Sequence, residues 1–178
     1  MQITGGIYNS RKVKAPEYEN IEPTLSKVRQ GIFNALLSLI SAEGKVFFDM
    51  FSGSGIMSLE AISRGFKVIS FEKDKKTAFA IKQAFASLNL KPDLYVGDSL
   101  KSVIKTGMKA DVIFIDPPYD SDLYEKSLKI ILDNRILKDG GIIILEHPVD
   151  KEIDIKGFEL VKAKKYADKQ ISYLQYLN

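Results

Sequence analysis

Asp116-Pro117-Pro118-Tyr119 is the segment whose residue types constrain a chemistry most narrowly. Two prolines fix the backbone into an extended turn. That rigidity aims the Asp116 carboxylate and the Pro117 carbonyl in defined directions. A planar amine on a nucleobase has two N–H donors and a lone pair delocalised into the ring. Two acceptors gripping those donors favour a pyramidal nitrogen and turn its lone pair toward an electrophile. Tyr119 adds a face on which a base stacks, a contact worth about 1–3 kcal/mol. The competing reading is a rigid loop with a satisfied aspartate.

A second segment, Asp49-Met50-Phe51-Ser52-Gly53-Ser54-Gly55, places two glycines around one small residue. Such a turn lets a ligand approach the backbone. A dinucleotide-binding loop looks similar. The carboxylate of Asp49 is more selective: it repels a pyrophosphate and attracts an ammonium group. It favours a ligand with a charged amino-acid end, such as S-adenosylmethionine. Glu72 lies 23 positions beyond Asp49, near the spacing at which an acidic residue accepts hydrogen bonds from ribose hydroxyls. Asp74 competes for that role, and Glu72 could instead cap the following helix. Asp98 has two readings, as acceptor for an adenine amine or as the N-cap of a helix starting at Ser99.

These residues need a frame that brings them together. Strands are predicted at 46–50, 67–71, 93–96, 111–115 and 141–145, and helices between them at 56–63, 75–88, 99–105 and 123–134. Val-Phe-Phe, Val-Ile-Phe-Ile and Ile-Ile-Ile-Leu are apolar runs suited to strands buried on both faces of a parallel sheet. Repeated βα units predict an α/β, doubly wound sheet with helices on both faces. Strands at 158–164 and 171–177, joined by a polar turn at Ala167-Asp168-Lys169, would close it as an antiparallel hairpin. Ahead of the core, residues 1–22 read as a small hairpin or extended arm. Pro23-Thr24 then opens a helix, with Thr24 as N-cap and Val28, Phe33, Leu36, Leu37 and Ile40 as its apolar face. In such folds the ligand binds beyond the carboxyl ends of the strands, where all four segments above fall.

Composition narrows the function further. The 178 residues suit one domain, with an extension over 1–41 and a core over 45–178. There is no cysteine and His147 is the one histidine, which excludes thiolate nucleophiles, Cys-ligated metals and multi-His metal sites. It also argues against pyrimidine C5 methylation, whose usual mechanism needs a cysteine. No apolar run approaches the roughly 20 residues of a membrane span, and no signal peptide is evident. A cytoplasmic monomer without metal is expected. Net charge is +3, with basic balances of +2 over 1–34 and +3 over 156–178 flanking −2 over 35–155. Basic ends on an acidic middle suggest a polyanion held at the ends and chemistry between them. A nicotinamide oxidoreductase or a non-catalytic nucleotide binder would leave Asp-Pro-Pro-Tyr without a task.

Asp-x-Phe-x-Gly-x-Gly followed by Asp-Pro-Pro-Tyr resembles the Rossmann-like, S-adenosylmethionine-dependent methyltransferases of base amines. A finer match covers nearly the whole chain. Gly5-Gly6 with Arg11-Lys12, Pro23-Thr24…Val28-Arg29…Phe33-Asn34, Glu60-Ala61-x-Ser63-Arg64-Gly65 and Glu72-Lys73-Asp74 resemble the bacterial RsmD-type enzymes. Those methylate N2 of one guanine in 16S rRNA of the small ribosomal subunit. The resemblance implies a mostly parallel, seven-stranded methyltransferase sheet with an antiparallel C-terminal hairpin. It implies that Asp49, Phe51, Gly53 and Gly55 line the methionine end of the cofactor, Glu72 its ribose and Asp98 its adenine. Asp116, Pro117 and Tyr119 would hold the guanine amine, and Arg11, Lys12, Arg29 and Asn34 would meet the RNA. An adenine-N6 methyltransferase of DNA or RNA is the alternative; the short chain lacks room for a separate DNA target-recognition domain. Glu22 stands where the family usually has Arg, and Ala167 where it often has Gly.

Overall fold

The computed structural model describes residues 1–14, 23–119 and 121–177. Glu22 and Tyr18 lie outside them, and so does the side chain of Thr24. The described residues form, in chain order, α1 (Pro23–Leu37), β1 (Val46–Asp49), α2 (Ile56–Ser63), β2 (Lys67–Glu72), α3 (Lys75–Ala86), β3 (Asp93–Val96), α4 (Ser99–Lys105), β4 (Ala110–Ile115), α5 (Leu123–Asp133), β5 (Leu137–Pro148), β6 (Phe158–Tyr166) and β7 (Lys169–Tyr176). Among them, no helix is long and apolar enough to cross a membrane.

The seven strands form one sheet in the order β3-β2-β1-β4-β5-β7-β6. β1 to β5 run parallel, and β7 and β6 close the sheet antiparallel. Strand order reverses between β1 and β4, which neighbour each other although five elements, α2 to α4, separate them in sequence. The sheet therefore has its ligand crevice where those two strands end.

Alternation along the strands builds two cores, as period-2 side-chain direction requires. Phe47, Val112, Phe114, Ile142 and Ile144 pack under α1 and α2. Phe48, Ile113, Ile115, Ile143 and Leu145 pack on the other face with Val103 of α4 and Tyr124, Leu128 and Ile131 of α5. α3 joins α2 through Leu59, Ile81, Ala84 and Phe85. Both faces of β4 are buried throughout, which explains why its sequence is an unbroken apolar run.

The structure differs from the sequence expectation chiefly at four places. α1 ends at Leu37, which is exposed rather than part of its apolar face. β5 begins at Leu137 rather than 141, since a register irregularity between Ala110 and Val112 lets it pair with β4 across its two glycines. The polar turn of the closing hairpin is Ala167-Asp168 alone. Lys169 opens β7 opposite both Tyr166 and Pro148. The N-terminal pieces form a single antiparallel bridge between Gln2 and Lys12 rather than two strands.

That N-terminal turn is docked on α2. The backbone N–H of Ile7 donates to Ser63 O at 2.7 Å, and that of Tyr8 to Ser63 Oγ at 2.9 Å. Gly6 has φ +79°, and a Cβ there would fall 1.8 Å from Ser63 O, so no side chain fits at this contact.

Candidate active site

A cleft of about 770 Å³ opens at the carboxyl ends of the parallel strands. Gly53, Glu72, Asp98, Asp116, Pro117 and Tyr119 all line it. Four loops far apart in sequence thus meet around one volume large enough for a nucleoside-sized ligand.

The glycine turn follows from backbone needs. Gly55 precedes α2 with φ +76°, and a Cβ there would meet the Ile81 side chain at 3.2 Å. A side chain would be strained in conformation and crowded at once. Ser52 fixes the turn from within: its hydroxyl donates to Asp49 O at 3.0 Å and accepts from the Phe71 N–H at 3.1 Å.

Asp49 ends β1 and is 1% exposed. Its Oδ2 accepts from Ser58 Oγ at 2.6 Å, and Ser58 also touches Ser70 Oγ at 2.8 Å. Its buried Oδ1 has no hydrogen-bond partner among the described residues. Burial pushes the carboxyl up to about 6, against the opposing hydrogen bonds from Ser58 and Ser52. A buried acceptor with a vacant lone pair and elevated proton affinity suits a cation or donor supplied from outside the protein.

Glu72 joins two loops. Its Oε2 accepts from the Gly53 N–H at 3.0 Å and its Oε1 from the Asp74 N–H at 2.8 Å. Each carboxylate oxygen retains capacity for a further donor, so a vicinal diol can still be accepted. Asp74, the rival, is the N-cap of α3. Its Oδ1 accepts from the Thr77 N–H at 2.8 Å, and this bond holds its carboxyl below the usual range.

Asp98 caps α4, accepting from the N–H groups of Leu100 at 2.9 Å and Lys101 at 3.3 Å. Both cap bonds fall on Oδ1. The residue is thus a helix cap on the cleft wall, and the two sequence readings are compatible.

Asp116 follows β4 and is half-buried. Burial first, and the negative charge of Glu146 second, hold its carboxyl well above the usual carboxylate range. The Lys169 ammonium opposes both. Among the described residues, the Pro117 carbonyl receives a long contact from Tyr124 Oη at 3.5 Å, at the outer limit of a hydrogen bond. Tyr119 is 43% exposed. Lys151 steadies its backbone by donating to Tyr119 O at 3.2 Å and Ser121 O at 3.1 Å.

Lys169 lines the cleft, and neither it nor its buried partner Glu146 was among the sequence candidates. Glu146 was visible as the charge ending the apolar run of β5. Lys169 carried no signal, because its position depends on the register of the closing hairpin. The two pair directly, Lys169 Nζ donating to Glu146 Oε1. His147, the neighbour of Glu146, faces elsewhere and bonds Ser172 Oγ at 2.9 Å.

The nucleic-acid candidates divide. Arg11 and Lys12 are exposed on the N-terminal turn, and Asn34 is exposed on α1 beside a shallow groove shared with Gly6 and Arg64. Arg29 is corrected: it is 6% exposed and committed to the interior. Its guanidinium pairs with Glu60 Oε1 at 3.3 Å and donates to Gln2 O at 2.9 Å and Ser26 Oγ at 3.1 Å. Glu60, fully buried, also binds Arg64 and accepts from the Thr4 N–H at 2.9 Å. The Arg29–Glu60–Arg64 cluster fastens α1, α2 and the N-terminal turn to one another and leaves Arg29 unavailable to phosphates.

Comparison with known proteins agrees with this geometry. The family described as Conserved hypothetical protein 95 matches residues 1–175. The ribosomal RNA small subunit methyltransferase D of Buchnera aphidicola (subsp. Acyrthosiphon pisum) is 30% identical over 167 residues, covering 91% of this chain and 86% of that protein. The solved structure of Escherichia coli yhhF superimposes with a TM-score of 0.85 at 25% identity, covering 99% of this chain and 97% of that one. SMU.776, a fold neighbour solved with S-adenosylhomocysteine, gives a TM-score of 0.67 at 17% identity over 87% of this chain and 50% of that one. With the family match running almost from end to end and a 30% identical relative covered over most of its length, the chain belongs to the ribosomal RNA small subunit methyltransferase D family.

Proposed function

We propose that this protein transfers a methyl group from S-adenosylmethionine to the exocyclic N2 amine of a guanine in 16S rRNA of the small ribosomal subunit. The observation that carries the reading is the meeting of Asp116 and Pro117 with Gly53, Glu72 and Asp98 around one cleft at the strand-order reversal. Relatives named as small-subunit rRNA methyltransferases support the substrate class.

The residues fit the cofactor. On the cleft wall Glu72 matches a ribose diol, Asp98 an adenine amine, and Phe51 and Gly53 the methionine end; Gly55 shapes that turn from outside the lining, and the buried, unpartnered Asp49 Oδ1, also off the lining, matches an amino-acid ammonium. When bound, S-adenosylmethionine supplies a methyl group on a sulfonium, a good leaving group.

The chain's own groups orient the acceptor. Asp116 and the Pro117 carbonyl each accept one N–H of the amine and hold it while Tyr119 stacks on the base. Positive charge grows on the nitrogen as the new bond forms, so the grip of Asp116 strengthens toward the transition state. A base paired within a helix cannot enter such a cleft, so the target nucleotide is flipped or unpaired. Arg11, Lys12 and Asn34 lie outside the cleft, where they can meet the RNA backbone. Arg29 supports that surface from beneath.

Transfer of labelled methyl to small-subunit RNA, free and protein-bound, followed by nucleoside analysis, tests this. N2-methylguanosine is the expected product. Methylated adenine, or product in DNA alone, contradicts the reading.

A further inference from the structure

Lys169, on the cleft wall, forms an ion pair with the buried Glu146. They come from adjacent antiparallel strands: Glu146 lies opposite Ile171, and Lys169 lies opposite Pro148. Lys169 lines the cleft with Asp116 and Tyr119, and its Nζ stands 5.5 Å over the Tyr119 ring. The side chains are 23% and 9% exposed. A pair this sequestered loses much of its Coulombic gain to desolvation, and apolar residues of similar volume often serve stability as well. Its location therefore calls for another explanation.

The charged and titratable groups that face Asp116 come from every neighbouring element. The charges of Asp49 at the end of β1, Glu146 on β5 and Lys169 on β7 act on it. Tyr124 on α5 feels the Asp116 charge in turn, and Tyr119 lines the same cleft. Lys169 is the cation whose charge acts on Asp116, and it is tethered to Glu146 instead of to Asp116 itself.

We propose that Glu146 and Lys169 are a positioning pair for the methyl-accepting amine: Lys169 sets a cation in the same cleft as the Asp116 acceptor, and Glu146 holds that cation back from occupying it. The proposal rests on the reading that Asp116 grips the amine. A protonated Asp116 would present a hydroxyl to an N–H donor and lose acceptor capacity. An ammonium bonded directly to Asp116 would consume the lone pairs the amine needs. The tether avoids the second outcome, and the cation opposes the first. Burial and Glu146 raise the proton affinity of Asp116, and Lys169 opposes them without cancelling them.

The test uses the full-length protein with saturating RNA and S-adenosylmethionine. The rate of methyl transfer is followed against pH for the parent, Lys169→Met and Glu146→Gln. Lys169→Met is expected to move the acidic limb upward by about one pH unit or more. Glu146→Gln is expected to move it downward with a lower plateau, because the freed ammonium turns onto Asp116. Lys169→Arg keeps the charge and should keep the parent profile. Both disruptive substitutions break the same ion pair, so a merely structural role moves both limbs alike or neither, and either result overturns the proposal. A ¹³C NMR titration of the Asp116 carboxyl, assigned with Asp116→Asn, separates the layers. Opposite shifts in that titration without matching shifts in rate contradict the amine-holding reading; no shift in the titration contradicts the pairing itself.

Discussion

Gly53 donates its backbone N–H to Glu72 Oε2 at 3.0 Å, so the acid that ends β2 buttresses the glycine turn after β1. One carboxylate both shapes the loop and faces the cleft. Replacing it removes a loop support together with a ligand acceptor. Glu72→Ala is expected to weaken S-adenosylhomocysteine binding by at least about tenfold. Glu72→Gln, which keeps one acceptor oxygen, should weaken it less. Isothermal calorimetry reads both, and an unchanged Kd for Glu72→Ala would show the cleft carboxylate to be idle.

Asp49 predicts a trade between stability and binding. Its folded-state pKa of about 6 lies above the ordinary 3.8. The stability it contributes is fully present below about 3.8 and is lost as pH rises through about 6. Asp49→Asn should therefore be more stable than the parent at pH 8 by up to roughly 3 kcal/mol, with the difference fading toward pH 4. The same substitution should weaken cofactor binding, because the neutral amide no longer attracts an ammonium. Thermal melts across pH and calorimetry check the two halves. Equal melting curves at pH 8 would mean that the Asp49 carboxylate is not disfavoured by its site.

Arg29→Ala separates an interior role from an RNA contact. Loss of the guanidinium leaves Glu60 with Arg64 and the Thr4 N–H and leaves Gln2 O without the Arg29 donor. A destabilisation of about 2–4 kcal/mol is expected in denaturant unfolding. The salt slope of RNA binding should stay unchanged, because no phosphate contact is lost. A flatter slope at full stability would return Arg29 to the RNA surface.

The closing hairpin offers a gain. Ala167 holds φ +52° as the first of two turn residues, a conformation that strains any side chain with a Cβ. Ala167→Gly should stabilise by about 0.5–1 kcal/mol and raise Tm by a few degrees. A lower Tm would show that the turn's rigidity in the unfolded chain outweighs its strain.

Much of this architecture was legible from residue order. Unbroken apolar runs identified β1, β4 and β5, and the four acidic or glycine-rich strand ends marked the cleft. Asp98 was ambiguous because an N-cap and a cleft acceptor ask for the same residue type. Arg29 was misplaced because helical periodicity locates a face and does not reveal a buried glutamate, Glu60, that draws a cation inward. Lys169 was illegible for a different reason. Its neighbours in space are set by the pairing of β5 with β7, a long-range register that a two-residue turn fixes and a polar tripeptide conceals.

Whether Asp116 holds the base amine or the cofactor is decided by single-turnover methyl transfer by Asp116→Ala alongside S-adenosylhomocysteine calorimetry. The account predicts turnover lower by roughly two to four orders of magnitude with cofactor affinity largely intact. Parallel loss of affinity and rate, or a rate close to the parent's, would contradict it.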